Sequence, residues 1–98
     1  MDRFTIETTP AADRQINEIV DWLREHASVS RLVMELATAV RILAVTPRAG
    51  VSVDQRRGLR RLLLRRSQLH LYYAIDDARR RVTIRAFWHT ARGGPPPL

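Results

Sequence analysis

Hydrophobic and polar positions alternate with period two across the last third of the chain. Leu69, Leu71, Tyr73 and Ile75 alternate with His70, Tyr72 and Ala74. Val82, Ile84, Ala86 and Trp88 alternate with Thr83, Arg85 and Phe87. Alternation rich in β-branched and aromatic residues is the signature of strands. With the run beginning at Leu59, these segments predict three strands in a meander. Arg65-Arg66-Ser67 and Asp76-Asp77-Ala78-Arg79 are of hairpin length and separate them. Tyr72 and Tyr73 face opposite sides of their strand, so one is expected in the core and the other exposed.

The first half changes period. Phe4, Ile6 and Thr8 alternate with Thr5 and Glu7 and predict a short first strand. Thr9-Pro10 then reads as a helix start, because Thr9 can cap and proline suits a first turn whose N–H groups are unpaired anyway. Ile16, Ile19, Val20, Leu23 and Ala27 recur at helical spacing, predicting a helix over 10–26. Trp22 lies beside this stripe and is expected to pack. Ser28-Val29-Ser30 breaks the pattern. A second helix follows through Leu32, Val33, Leu36, Ala39, Val40 and Leu43, and Pro47 stops it. This helix has few polar positions, so packing on two sides is expected, against the sheet and against the first helix. Thr46 to Gly58 reads as one long polar connection.

The predicted fold is therefore α+β, in the order β-α-α-β-β-β. An antiparallel αα-hairpin covers one face of a small, largely antiparallel four-stranded sheet. The globular part is expected over about 1–89 as a single domain. Residues 90–98, TARGGPPPL, form a tail that is expected to be extended, since three prolines cannot supply ladder donors.

Composition narrows the function classes. Cysteine is absent, which removes disulfides and thiolate metal sites and suits a reducing cytoplasm. The opening residues carry no apolar core of a signal peptide. No apolar run approaches the roughly 20 residues of a membrane helix. Net charge is +7, and all 17 basic residues are arginine. GC-rich coding accounts for arginine in place of lysine. The excess of base over acid is a separate fact, and it points to an acidic or phosphate-bearing partner.

Several residue groups now fall into an order. Thr9-Pro10-Ala11 opens the first helix, and a proline–glycine turn follows the second. Leu59-Arg60-Arg61-Leu62 leads into Leu71-Tyr72-Tyr73-Ala74-Ile75-Asp76. Ile84-Arg85-Ala86-Phe87-Trp88-His89-Thr90-Ala91-Arg92 closes the chain. In this order and spacing they resemble the RelE/ParE superfamily of toxins from type II toxin–antitoxin modules, the ParE branch most closely. The resemblance covers nearly the whole chain. It implies a cytoplasmic toxin neutralised by a cognate antitoxin that has a DNA-binding dimer domain and an acidic tail. No cofactor, metal or membrane partner is expected, and nucleic-acid contact is expected only within a complex.

The two branches differ in target. ParE-like members inhibit DNA gyrase. RelE-like members cut messenger RNA on the ribosome with central lysines, an arginine on the central strand, basic residues after the last strand and a C-terminal tyrosine. This chain has no lysine, His70 stands at the central-strand position, and the tyrosine position falls in Pro95-Pro96-Pro97. Gyrase inhibition is therefore the expected activity, without hydrolysis. Arg60, Arg61, Arg65 and Arg66 are expected as a basic ledge and Trp88, His89 and Arg92 as an aromatic–cation surface, together meeting target or antitoxin. The alternative is a ribonuclease with an altered site of His70, Arg85, His89 and Arg92, histidine being suited to proton transfer near neutral pH. A third reading keeps only antitoxin or nucleic-acid binding.

Overall fold

The computed structural model describes residues 3–98. Strand β1 (Thr5–Thr8) leads into helix α1 (Pro10–His26) and helix α2 (Val29–Val45). A 3-10 turn at Pro47–Ala49 follows, then strands β2 (Val51–Asp54), β3 (Leu59–Leu64), β4 (Leu69–Asp76) and β5 (Arg81–His89). The Thr9 hydroxyl accepts from the Ala12 amide at 3.1 Å, and Pro10 occupies the first turn, as the sequence predicts.

The sheet has five strands, not four, in the order β1-β5-β4-β3-β2. The added strand is β2, inside the stretch expected as an irregular connection. It pairs antiparallel with β3 and carries an irregularity between Ser52 and Asp54. β1 runs parallel to β5, and the remaining pairs are antiparallel. The order follows from the connections. The hairpins leave β5 with one free side, and the two helices return β1 to that side.

Both helices pack on one face. Ala12 of α1, with Leu32, Ala39 and Leu43 of α2, meets Leu64, Leu69, Leu71, Tyr73, Val82, Ile84 and Phe87 of the sheet. Phe87 belongs there because the alternation of β5 does not run straight. Tyr73 pairs with Ile84 but Tyr72 pairs with Ala86, so Arg85 is an extra residue on β5. A bulge of this kind reverses which side chains face which way beyond it. The expected inward set of Val82, Ile84, Ala86 and Trp88 therefore becomes Val82, Ile84 and Phe87. Ala86 and Trp88 go to the opposite face, with Leu59 and Tyr72.

The bulge sits where β1 ends. Beyond the Thr8–Ile84 pair, β5 has no strand on that side among the described residues. Helix α1 supplies the partners instead. Gln15 Oε1 accepts from the Phe87 amide at 2.9 Å, and the Thr9 hydroxyl donates to the Arg85 carbonyl at 3.3 Å. The edge groups left by β1 are thus paired by side chains.

Two packing expectations need correction. α2 is covered on one side only: Met34 is 70% exposed, and Val33, Ile42 and Val45 are exposed with it. Trp22 is not packed into the core; it is 57% exposed, with its ring stacked on His26 at 4.4 Å. The helices form a single layer on the sheet, and these residues point away from it. Tyr72 and Tyr73 do face opposite sides, yet both are buried.

Candidate functional site

The face of the sheet without helices holds the main cluster of predicted site residues. Arg61 on β3, His70 and Tyr72 on β4, and Trp88 on β5 share this side. Register pairs Arg61 with Tyr72 and His70 with Trp88. With His89 and Arg92 they line a cleft of about 230 Å³, one wall of which is the tail at Gly94 and Pro95. The Arg92 guanidinium lies 4.4 Å from the Trp88 ring centroid, a cation–π contact that also orients both side chains. His70 meets Tyr72 edge-on at 6.1 Å.

The electrostatics are one-sided, since among the described residues no carboxylate lines the cleft. Burial and then the Arg61 charge push the His70 pKa below its ordinary 6.5, which favours the neutral ring. The His89 Nδ1 lies 3.0 Å from the Ala91 amide, which can only donate. Nδ1 is therefore the acceptor, and in the neutral ring the proton sits on Nε2. Such a cleft can bind anionic groups, stack a planar group against the indole, or pass a proton through histidine.

The other predicted residues lie elsewhere. Arg85 is the bulged residue and does not line the cleft. Arg60 turns to the helix side, where its Nη2 donates to the Gly50 carbonyl at 2.7 Å and the Arg48 carbonyl at 3.2 Å. Arg65 and Arg66 stand in the exposed β3–β4 turn. The turn is held from α2, where Glu35 accepts from the Arg66 amide at 2.9 Å and the Ser67 amide at 2.8 Å. Four neighbouring arginines are thus divided among a structural clip, the cleft and a turn, and they do not form one ledge.

A second concavity was missed by the sequence reading. Ile19 and Trp22 of α1, Phe87 and His89 of β5, and Arg92 enclose about 420 Å³ beside the helix. Its sequence signal was Trp22 itself, three residues from Ile19 and so on the shoulder of the buried stripe. Among the described residues, no group of three or more histidine, aspartate or glutamate side chains is placed to hold a metal. No described helix is long and apolar enough to cross a membrane.

A pair of helices on one side of a mixed sheet is the architecture of RelE/ParE-superfamily toxins. The family model describing the ParE toxin of type II toxin–antitoxin system parDE matches residues 6–93, and the chain belongs to that family. Two solved structures are similar. One comes from the chromosomal ParDE toxin–antitoxin system of P. aeruginosa, with TM-score 0.70 and 15% identity over 91% of this chain and 98% of that one. The other comes from the toxin–antitoxin complex RelBE2 of Mycobacterium tuberculosis, with TM-score 0.60 and 25% identity over 89% and 98%. No curated protein sequence matches. The chain is the toxin component of a type II toxin–antitoxin module.

Proposed function

We propose that this toxin, a single domain acting in the cytoplasm, works by binding rather than cutting, with DNA gyrase as its target. The observation that supports this most is the make-up of the cleft wall. The tyrosine position of the ribonucleases falls in Pro95-Pro96-Pro97, and Pro95, which lines the cleft, has no side-chain proton to give. What the cleft does offer is the Trp88–Arg92 stack and Arg61, the residue types that dominate protein interfaces. Purified chain at micromolar concentration is expected to block supercoiling by purified gyrase; undiminished supercoiling would sink the proposal.

The antitoxin is proposed to cover the outer side of α2. Val33, Met34 and Val45 are apolar and exposed there, and β2 nearby is an edge strand with one side unpaired. A net charge of +7 favours an acidic partner segment, here one carried on a DNA-binding dimer domain.

One observation favours a second reading. His70 and His89 share the cleft with Arg61 and Arg92, and general acid–base cleavage of RNA needs that combination of proton carriers and cations. Primer extension on translated messenger should then show cuts inside codons, and these should vanish in His70→Ala and His89→Ala chains.

A further inference from the structure

The chain's own tail turns back and is anchored beside the open face of the sheet, at Trp88 and at Arg57. After His89 the backbone reverses. The Thr90 amide donates to the Gln68 carbonyl at 2.9 Å and the Arg92 amide to the His89 carbonyl at 3.0 Å. Gly94 takes a φ of +73°, in the left-handed region. Two hydrogen bonds then hold the returning segment. Trp88 Nε1 donates to the Gly94 carbonyl at 3.1 Å, and Arg57 Nη2 donates to the backbone oxygen of Leu98 at 3.0 Å.

Those anchors define the path. Trp88 is near the end of β5, and Arg57 lies just ahead of β3. The residues between Gly94 and Leu98 therefore cross from β5 over β4 to β3. Pro96, midway, is buried. So are Leu59, Tyr72 and Ala86, although among the described residues no helix residue belongs to that cluster. The simplest physical account is that tail and sheet bury each other. A proline run suits this place, because it has no N–H groups to leave unpaired against an apolar surface. An aromatic floor with an indole N–H aimed at a peptide carbonyl is also how proline-rich segments are held in general.

We propose that Gly94–Leu98 is a latch: an extended proline segment that closes over Leu59, Tyr72, Ala86 and Trp88, and whose lifting opens the cationic cleft at Arg61 and His70. Closed, it walls the cleft and shields the indole. Open, it frees the apolar strip of Leu59, Tyr72, Ala86 and Trp88. The latch needs neither gyrase nor RNA, so it stands or falls apart from the target assigned above.

The test uses the full chain and two internal references. The protein has two tryptophans and three histidines. Solvent exchange of the Trp88 indole N–H is compared with that of exposed Trp22 by NMR. Acylation of His70 by diethylpyrocarbonate is compared with that of exposed His26 by mass spectrometry. The closed latch predicts slower exchange at Trp88 than at Trp22. Gly94→Ala adds no clash but forces an L-residue into the left-handed region, so opening should rise roughly five- to thirtyfold. Trp88 exchange and His70 acylation should rise together. Gly93→Ala, with an ordinary backbone and open space, should leave both unchanged. Pro96→Asp, which puts a charge in the buried position, should release the latch fully. Exchange at Trp88 as fast as at Trp22 in the unaltered chain would overturn the proposal. So would a Trp88 or His70 signal that Pro96→Asp does not move.

Discussion

The Tyr73 hydroxyl accepts from the Gly50 amide at 2.9 Å and donates to the Pro47 carbonyl at 2.7 Å, joining the central strand to the segment that leaves α2. A β-carbon on Gly50 would lie 2.7 Å from that hydroxyl and 2.5 Å from the Arg61 carbonyl. Both neighbours are fixed, one by its two hydrogen bonds and the other as backbone. Gly50→Ala is therefore expected to destabilise the fold by about 2–3 kcal/mol, the cost of overpacking a rigid site. Tyr73→Phe leaves the Gly50 amide buried and unpaired, at a cost of about 1–3 kcal/mol. Urea denaturation of each variant measures both; an unchanged midpoint in either would refute the account of this joint.

The bulge makes a prediction about neighbours in sequence. Phe87 lies in the core, so Phe87→Ala should cost about 3–5 kcal/mol. A straight strand would have placed Phe87 on the outside and made the change mild. Gln15→Leu orphans the Phe87 amide and should cost about 1–3 kcal/mol. Thermal denaturation compares the two.

Glu35 links α2 to the β3–β4 turn. Partial burial opposes its charge, but hydrogen bonds from Ser67 and Arg66, together with the Arg66 charge, outweigh it and hold its pKa below the ordinary 4.5. A carboxylate pKa depressed by folding contributes stability above the unfolded value and loses it as pH falls through the folded value. Glu35→Gln should therefore weaken the protein at pH 7 by roughly 1 kcal/mol, from the lost charge-assisted bonds. The gap between the two proteins should close as pH falls below 4.5. Denaturation at pH 7 and pH 3 tests this, and a gap that persists at pH 3 would count against it.

His70 has the opposite sign. Folding lowers its pKa, so the unfolded chain takes up a proton below pH 6.5 that the folded one resists, and this residue's effect is to reduce stability as pH falls through that window. Its NMR titration should have a midpoint below 6.5. Arg61→Gln should raise that midpoint without restoring it fully, because burial is the larger cause. A midpoint unmoved by the substitution would remove Arg61 from the cleft's electrostatics.

The outer side of α2 bears on the partner. Met34 touches little of its own chain, so Met34→Asp should leave the melting temperature of the isolated toxin within about 0.5 kcal/mol equivalent. Antitoxin affinity should fall at least tenfold in titration calorimetry, or about 1.4 kcal/mol. Unchanged affinity would move the antitoxin to another surface.

Most of the scaffold was legible from local pattern. Thr9-Pro10 marked a helix start because capping is decided by neighbours in sequence. The hairpins after Leu64 and Asp76 followed from alternation and short polar gaps. What escaped detection depends on distant partners. Arg85 bulges where β1, at the other end of the sequence, has ended, and no local feature of Arg85-Ala86-Phe87 announces that. β2 is four residues long and gains its identity only by pairing with β3. The site was half visible for the same reason. Trp88, His89 and Arg92 stood out by composition, and so did His70 and Arg61. That Arg60 would turn to the other side as a clip, and that the proline tail would fold back over Tyr72, depended on positions brought together only by the sheet.

The extra residue in β5 has a consequence of its own. Up to Ile84 the strand addresses the helices with its even-numbered residues, and after Arg85 with the odd-numbered Phe87. It is written in two reading frames joined at one position. The same letters without that join would send Phe87 to solvent and bring Trp88 against the helices, so along β5 spacing carries as much of the fold as composition does.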